Sequence, residues 1–302
     1  MAAPRRLFRT TAMLIALKTK LAVKASLVAF SLGAAVLNPT VTERSSHAPE
    51  TIVLRDVTVS FRPAGDFQRD GEAVDGPLQR RMFSRLEIMK SQVSAADYAA
   101  CVADNACAAA PEPTRGAAHM PATQVSWQDA QAYAQWLSAA TGELWRLPTD
   151  AEWAAAAGSR FRDDALRIAA GSSPSDRWLA KYDYETADRG DETVRPRGAH
   201  GLNENGLQDV AGSVWEWTDT CFTRYTMAGE DVKPGAVNCG VRVVEGAHRA
   251  YVTNFIRDAR SGGCAVGKPP AHLGIRLVRE SRPLARHFVK IADKIGLRDG
   301  RE

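Results

Sequence analysis

The chain has 302 residues, 45% hydrophobic and 25% charged, a balance that excludes a wholly disordered chain, a collagen-like repeat and a polytopic membrane protein. Its formal net charge of +4 is unevenly placed. Arg5, Arg6, Arg9, Lys18, Lys20 and Lys24 precede any acid, and the stretch from Arg276 onward is again basic, so the body between carries about −6, which excludes nucleic-acid backbone binding.

Residues 1–42 read as a signal peptide or signal anchor. A basic run ending at Lys24 precedes the uncharged stretch "ASLVAFSLGAAVLNPTVT", with small residues around Ala34 and Ala35 where cleavage would fall. The apolar part is marginal for a membrane span, so cleavage and retention as an anchor both remain open. Either way the expected compartment is the oxidising periplasm, with membrane contact only if the segment is uncleaved.

From Val53 to Phe61 the alternation predicts a strand, and after a Gly-rich turn region "FSRLEIMKSQVS" predicts another. Ser94 is placed to cap a short helix over "AADYAACVA". Ser126, with Asp129 three residues on, opens a longer helix whose apolar stripe is Ala130, Tyr133, Ala134 and Leu137, and Gly142 closes it. Thr149 and Glu152 repeat that capping pattern before "AEWAAAA", which Gly158 stops. Residues 159–207 read as irregular. "GLQDVAGSVWEWTD" predicts a tight turn entering a strand, and "HLGIRLVRE" a last strand. Residues 281–302 form a basic tail with a narrow helical apolar face. No repeat or long linker divides 52–280, which is expected to be one domain.

The five cysteines form no CxxC pair and no zinc-like spacing. Cys101 and Cys107 would close a short loop after a helix, and Cys221 and Cys239 bracket a Gly/Pro-bearing loop. Disulfides at those two places, with Cys264 left over, suit an exported domain, although five cysteines allow other connectivities.

Three segments in order, "VSWQDAQAYAQWLSAATGELWRLPTDAEWAAAA", "NGLQDVAGSVWEWTD" and "HLGIRLVRE", resemble the formylglycine-generating (sulfatase-modifying factor) family over roughly residues 52–280. The resemblance implies a mixed α/β single domain with little regular secondary structure, related to C-type lectins. It also implies a calcium site using the Asp209 side chain, the carbonyls of Gly212 and Val214, and the Glu216 carboxylate. Carboxylates and carbonyls in one short segment are what a hard cation needs. The other reading is a plain turn in which Asp209 caps backbone amides. At the family's other calcium site, where the family has an asparagine, this chain has Lys181, whose charge would repel the ion. Trp127, Trp136, Trp145, Trp153, Trp215 and Trp217 are expected mainly to pack the core.

In the family's oxidases two cysteines five apart bind copper, as soft thiolates bind Cu(I). The corresponding stretch here, Glu245 to Arg260, has no cysteine, and Gly246 and Ala247 stand where glycine and serine are expected. No catalytic residue is therefore assigned, Cys264 being only a weak candidate, and calcium rather than copper is the expected cofactor. The scattered histidines, His248 and His272 among them, do not form the ligand cluster of the family's iron-dependent branch. "LEIMKSQVSAADYAACVADNAC" and "RDARSGGCAVGKPPAHLGIRLVRE" are similar to an exported, NirV-type branch associated with copper nitrite reductases. That likeness implies a non-catalytic accessory domain in denitrification whose partner is a protein, the copper nitrite reductase or its maturation machinery. The alternative is an active formylglycine-generating or other metal-dependent oxidase using Cys264.

Overall fold

Three capping boxes set the first helices. In a computed structural model, which describes residues 48–111, 118–169, 172–187, 193–259, 270 and 272–280, Ser94 caps α1 (Ala95–Ala103). Ser126 caps α2 (Trp127–Thr141) and Thr149 caps α3 (Asp150–Ala157). Each cap oxygen accepts the amide of the third helical residue, Asp97, Asp129 or Glu152, and each of those carboxylates accepts the cap's own amide. Such a cap contributes about 1 kcal/mol. Gly142 ends α2 in the left-handed region, at φ 75°. Residues 1–42, expected to be a signal peptide or anchor, the basic stretch 281–302 and Cys264 lie outside the described residues.

The strands form two sheets. The first, in the order β1–β4–β10–β5, joins Thr51–Phe61, Gln79–Met89, Val278–Glu280 and Leu144–Arg146, all antiparallel. The second, in the order β3–β2–β6–β7–β8, joins Glu72–Val74, Asp66–Arg69, Trp215–Ala228, Asp231–Glu245 and Arg249–Thr253. β2 runs parallel to β6, and so does β9 (Leu273–Gly274), which pairs with it at Trp215 and Glu216. The expected last strand is therefore split, β9 serving one sheet and β10 the other.

The apolar stripe of α2 is buried as its spacing predicts, and with α1, Trp145, Trp215 and Trp217 it forms one core. A second core lies under α3, whose four consecutive alanines, Ala154 to Ala157, let the helix sit close on β1 and β4 beside Trp153. Trp145, Trp153, Trp215 and Trp217 are all buried, while Trp127 and Trp136 pack at the margin.

Residues 159–207, read above as irregular, contain a further helix, α4 (Pro174–Ala187). Ser173 and Asp176 cap it reciprocally, and Pro174 occupies its first helical position, where a missing N–H costs nothing. Its polar sequence lacks the apolar stripe by which the other helices were recognised. Both expected disulfides are present, Cys101–Cys107 and Cys221–Cys239, the second linking β6 to β7.

Candidate functional site

Two places combine buried charge with a turn or a cavity. The first is the turn before β6. Asp209 and Ala211 carry it through the left-handed region, each at φ 58°. Gly212 is needed for space and not for its φ, since a Cβ there would stand 2.8 Å from the His200 ring and 2.9 Å from the Asp209 carbonyl. The Asp209 carboxylate accepts the amides of Gly198 (2.5 Å) and His200 (2.8 Å), the capping role considered above.

Glu216 is fully buried. Its Oε1 accepts from Gln92 Nε2 and Arg276 Nη2, both at 2.8 Å, and its Oε2 accepts from Trp153 Nε1 (2.7 Å) and Arg276 Nε (2.8 Å). Four N–H donors fill the acceptor capacity of a carboxylate. Arg276, equally buried, also donates to the carbonyls of Met89, Lys90 and Gln208. The four positions expected to hold calcium, Asp209, Gly212, Val214 and Glu216, thus share one turn. Both carboxylates are engaged, however, and the cation beside Glu216 is a guanidinium. This donor set does not fit a calcium ion without displacing those donors, because calcium takes six to eight oxygens. Among the described residues no group of three or more His, Cys, Asp or Glu side chains gathers to hold a metal.

The second place is β8, on the stretch where the oxidases would carry their thiols. Arg249, the first residue of β8, is buried. Its Nε donates to Glu245 (2.8 Å), its Nη2 to both oxygens of Asp150 (2.9 and 3.2 Å), and its Nη1 to Asp164 (3.0 Å) and the Arg62 carbonyl (2.9 Å). Burial alone would depress the guanidinium's pKa, but Asp150, Glu245 and Asp164 raise it well above its usual value. Burial pushes the Glu245 carboxyl well up, although Arg249 opposes this. Tyr251 donates to Asp164 (2.5 Å) and accepts the Gly65 amide (2.8 Å), and burial first, then Asp164, holds its phenol far above normal. His248 packs edge-on against Trp215, with ring centroids 5.7 Å apart, and its Nδ1 lies 3.0 Å from the Arg249 carbonyl. The carbonyls of His248 and His272 accept the side-chain and main-chain N–H of Trp215, so both histidines flank that tryptophan.

Arg249 and Tyr251 form one wall of a 330 Å³ cavity, with β2, β3 and α4 around it. α4 presents Arg177, Lys181 and Glu185, which the helical spacing puts on one face. Arg177 pairs with Asp75 at 3.1 Å, and Asp75 also accepts the amides of Leu166 and Arg167. Tyr184 donates to the Asp163 carbonyl, and burial raises its phenol to about 12. Glu185 is 4% exposed, and its Oε1 lies 3.8 Å from Lys181 Nζ. Burial lifts its carboxyl to about 7, against the pull of Lys181. The sequence flagged Lys181 only as a charge that repels calcium. Arg249 and Glu185 were not singled out, because their partners are remote in the sequence. The one local signal, the capping box at Ser173, marks the helix but not the cavity.

The sulfatase-modifying factor enzyme 1-like domain profile matches residues 40–281. The formylglycine-generating enzyme of Streptomyces coelicolor is 30% identical over 178 residues, covering 55% of this chain and 54% of that protein. The "inactive C-alpha-formylglycine-generating enzyme 2" of Bos taurus is 29% identical over 177 residues, covering 51% and 53% respectively. The chain thus spans about half the length of the curated relatives it matches. Among solved structures, PvdO from Pseudomonas aeruginosa superposes with a TM-score of 0.48 at 21% identity, covering 78% of this chain and 96% of that one. With the mixed α/β architecture and the ordered "RLPTDAEW" and "DVAGSVWEW" segments, the profile match means that this chain belongs to the sulfatase-modifying factor enzyme 1-like domain family.

Proposed function

We propose that the chain is an exported, non-catalytic accessory domain of this family, acting in denitrification on the copper nitrite reductase or its maturation machinery. One observation carries the first half of this proposal. The stretch from Glu245 to Arg260, where the resemblance would put a copper-binding thiol pair, has no cysteine and holds a guanidinium fixed by three carboxylates and a buried phenol. Arg249 and Tyr251 cannot supply soft thiolate ligands. Four of the five cysteines are tied into disulfides, which leaves Cys264 without a second thiol in the chain. That the family holds a relative named inactive supports the same view. The export half rests on the basic and apolar leader together with two disulfides of the kind exported domains use. The link to nitrite reductase rests on the sequence likeness described above.

The test is metal analysis and thiol titration of the purified mature protein, with an assay for formylglycine in a cysteine-containing sulfatase peptide. No stoichiometric copper, one free thiol and no peptide oxidation are expected. Stoichiometric copper with turnover would overturn the non-catalytic assignment and favour an oxidase using Cys264. Co-elution with copper nitrite reductase on gel filtration tests the partner, and separate elution at micromolar concentrations would remove it.

A further inference from the structure

The cavity against β8 holds one carboxylate that is only partly satisfied. Asp75 is matched by Arg177, and Asp164 by Arg249 and the Tyr251 hydroxyl. Glu185 has only the long ion pair to Lys181. It is 4% exposed, and its Oε2 is buried with no hydrogen-bond partner. Leaving a buried acceptor unpaired is costly, and more so when it is charged. The nearest cation, Lys181 Nζ, stands 3.8 Å from the other carboxylate oxygen, beyond hydrogen-bond reach, on a side chain 39% exposed at the rim. That ammonium lies 5.9 Å from the centroid of the Tyr251 ring. The chain therefore already places an ammonium between an aromatic face and this carboxylate, and holds it loosely. At the other end of the same helix face, Arg177 Nη1 is a buried donor without an acceptor. Eight residues separate Arg177 from Glu185, about 12 Å along the helix axis.

We propose that this cavity binds a small aliphatic primary ammonium compound with an oxygen acceptor at its far end, the ammonium pairing with Glu185 and the acceptor with Arg177. Lys181 moves outward as the ligand's ammonium takes the place beside Glu185 and the Tyr251 ring. An ammonium in such a place gains from the carboxylate and from the ring quadrupole together. A purely anionic ligand is disfavoured, because it would leave the Glu185 Oε2 unpartnered and set a second negative charge beside it. A cavity of 330 Å³ suits a ligand of amino-acid size.

This inference rests on the non-catalytic assignment above and fails separately from it. Peptide oxidation with bound copper would overturn that assignment, whereas the experiment here reads ligand binding alone. Full-length mature protein is titrated calorimetrically with 5-aminopentanoate, butylammonium and pentanoate. The expected order is 5-aminopentanoate tightest, butylammonium weaker and pentanoate without measurable binding. Glu185→Gln should weaken 5-aminopentanoate at least tenfold while its thermal melt shows a folded protein. Lys181→Met should tighten it several-fold by removing the tethered competitor. Glu230→Gln, in the exposed turn between β6 and β7, should leave it unchanged. Equal binding by Glu185→Gln, no binding of any amine by folded wild type at millimolar concentration, or pentanoate binding as tightly as 5-aminopentanoate would each overturn the proposal. So would a loss in Lys181→Met as large as that in Glu185→Gln, which would mean that the lysine holds the ligand.

Discussion

Replacing Arg276 by methionine removes five hydrogen bonds from the centre of the molecule. Two are to Glu216, and three are to the carbonyls of Met89, Lys90 and Gln208. Methionine fills much of the volume, so the change is chiefly electrostatic. Gln92 and Trp153 still donate to Glu216, but its charge stays buried without a counter-charge. Breaking a buried ion pair from one side costs about 3–5 kcal/mol. In a domain of this size that corresponds to a fall in Tm of about 6–20 °C. The assay is urea unfolding followed by tryptophan fluorescence, together with near-UV circular dichroism. The near-UV signal should change most, because Trp153 is hydrogen-bonded to the carboxylate that loses its partner. Arg276→Met/Glu216→Gln should lose less than the sum of the two single variants, since removing the charge removes the main penalty. A loss under about 1 kcal/mol in Arg276→Met would refute the argument, because a buried ion pair broken on one side cannot be that cheap.

Calcium and chelator should leave the Tm unchanged to within about 1 °C, since an ion that does not bind the native state cannot stabilise it. A calcium-dependent rise of several degrees would return the ion to the turn of Asp209, Gly212, Val214 and Glu216. Removing the β6–β7 crosslink with Cys221→Ala/Cys239→Ala should cost about 3 kcal/mol for a loop of this length, measured by urea unfolding without reductant, and no loss would mean that the crosslink does not form. Glu185 should make wild type less stable as pH rises. Its carboxyl titrates near 7 when folded and near 4.5 when unfolded, so the unfolded chain gives up its proton first and stability falls between those values. Lys181 on the same helix limits the shift and Asp164 from the facing loop adds to it, leaving an effect of about 1–3 kcal/mol. Glu185→Gln should flatten that part of the pH–stability curve, and an unchanged curve would show that Glu185 ionises freely in the native state.

What could be read from the sequence was local. The boxes Ser94/Asp97, Ser126/Asp129 and Thr149/Glu152 each lie within four residues, and all three cap helices. The two crosslinks close short loops and were equally accessible. α4 carries the same kind of box at Ser173/Asp176 but no apolar stripe, so nothing set it apart from a polar loop. β2 and β3 lay hidden in the Gly-rich region because β2 pairs in parallel with β6, far along the chain. The turn at Asp209 shows the limit most clearly. Its residue types suit an ion, and only the fold brings Arg276, sixty residues away, against Glu216. The cavity likewise joins Gly65, Glu185 and Tyr251, which no spacing rule connects.

The splitting of the last strand has a kinetic consequence. Residues 273–280 supply β9 beside β6, the buried Ile275, Arg276 and Leu277, and β10 between β4 and β5. Both sheets therefore depend on one short segment, and its strand pairings, with β4, β5 and β6, each close a long loop. Such a topology folds slowly, because loop entropy is lost before the contacts form. Because this one short segment bridges the two sheets, neither can be finished before the other has its partner, so the two should form together in a single cooperative step.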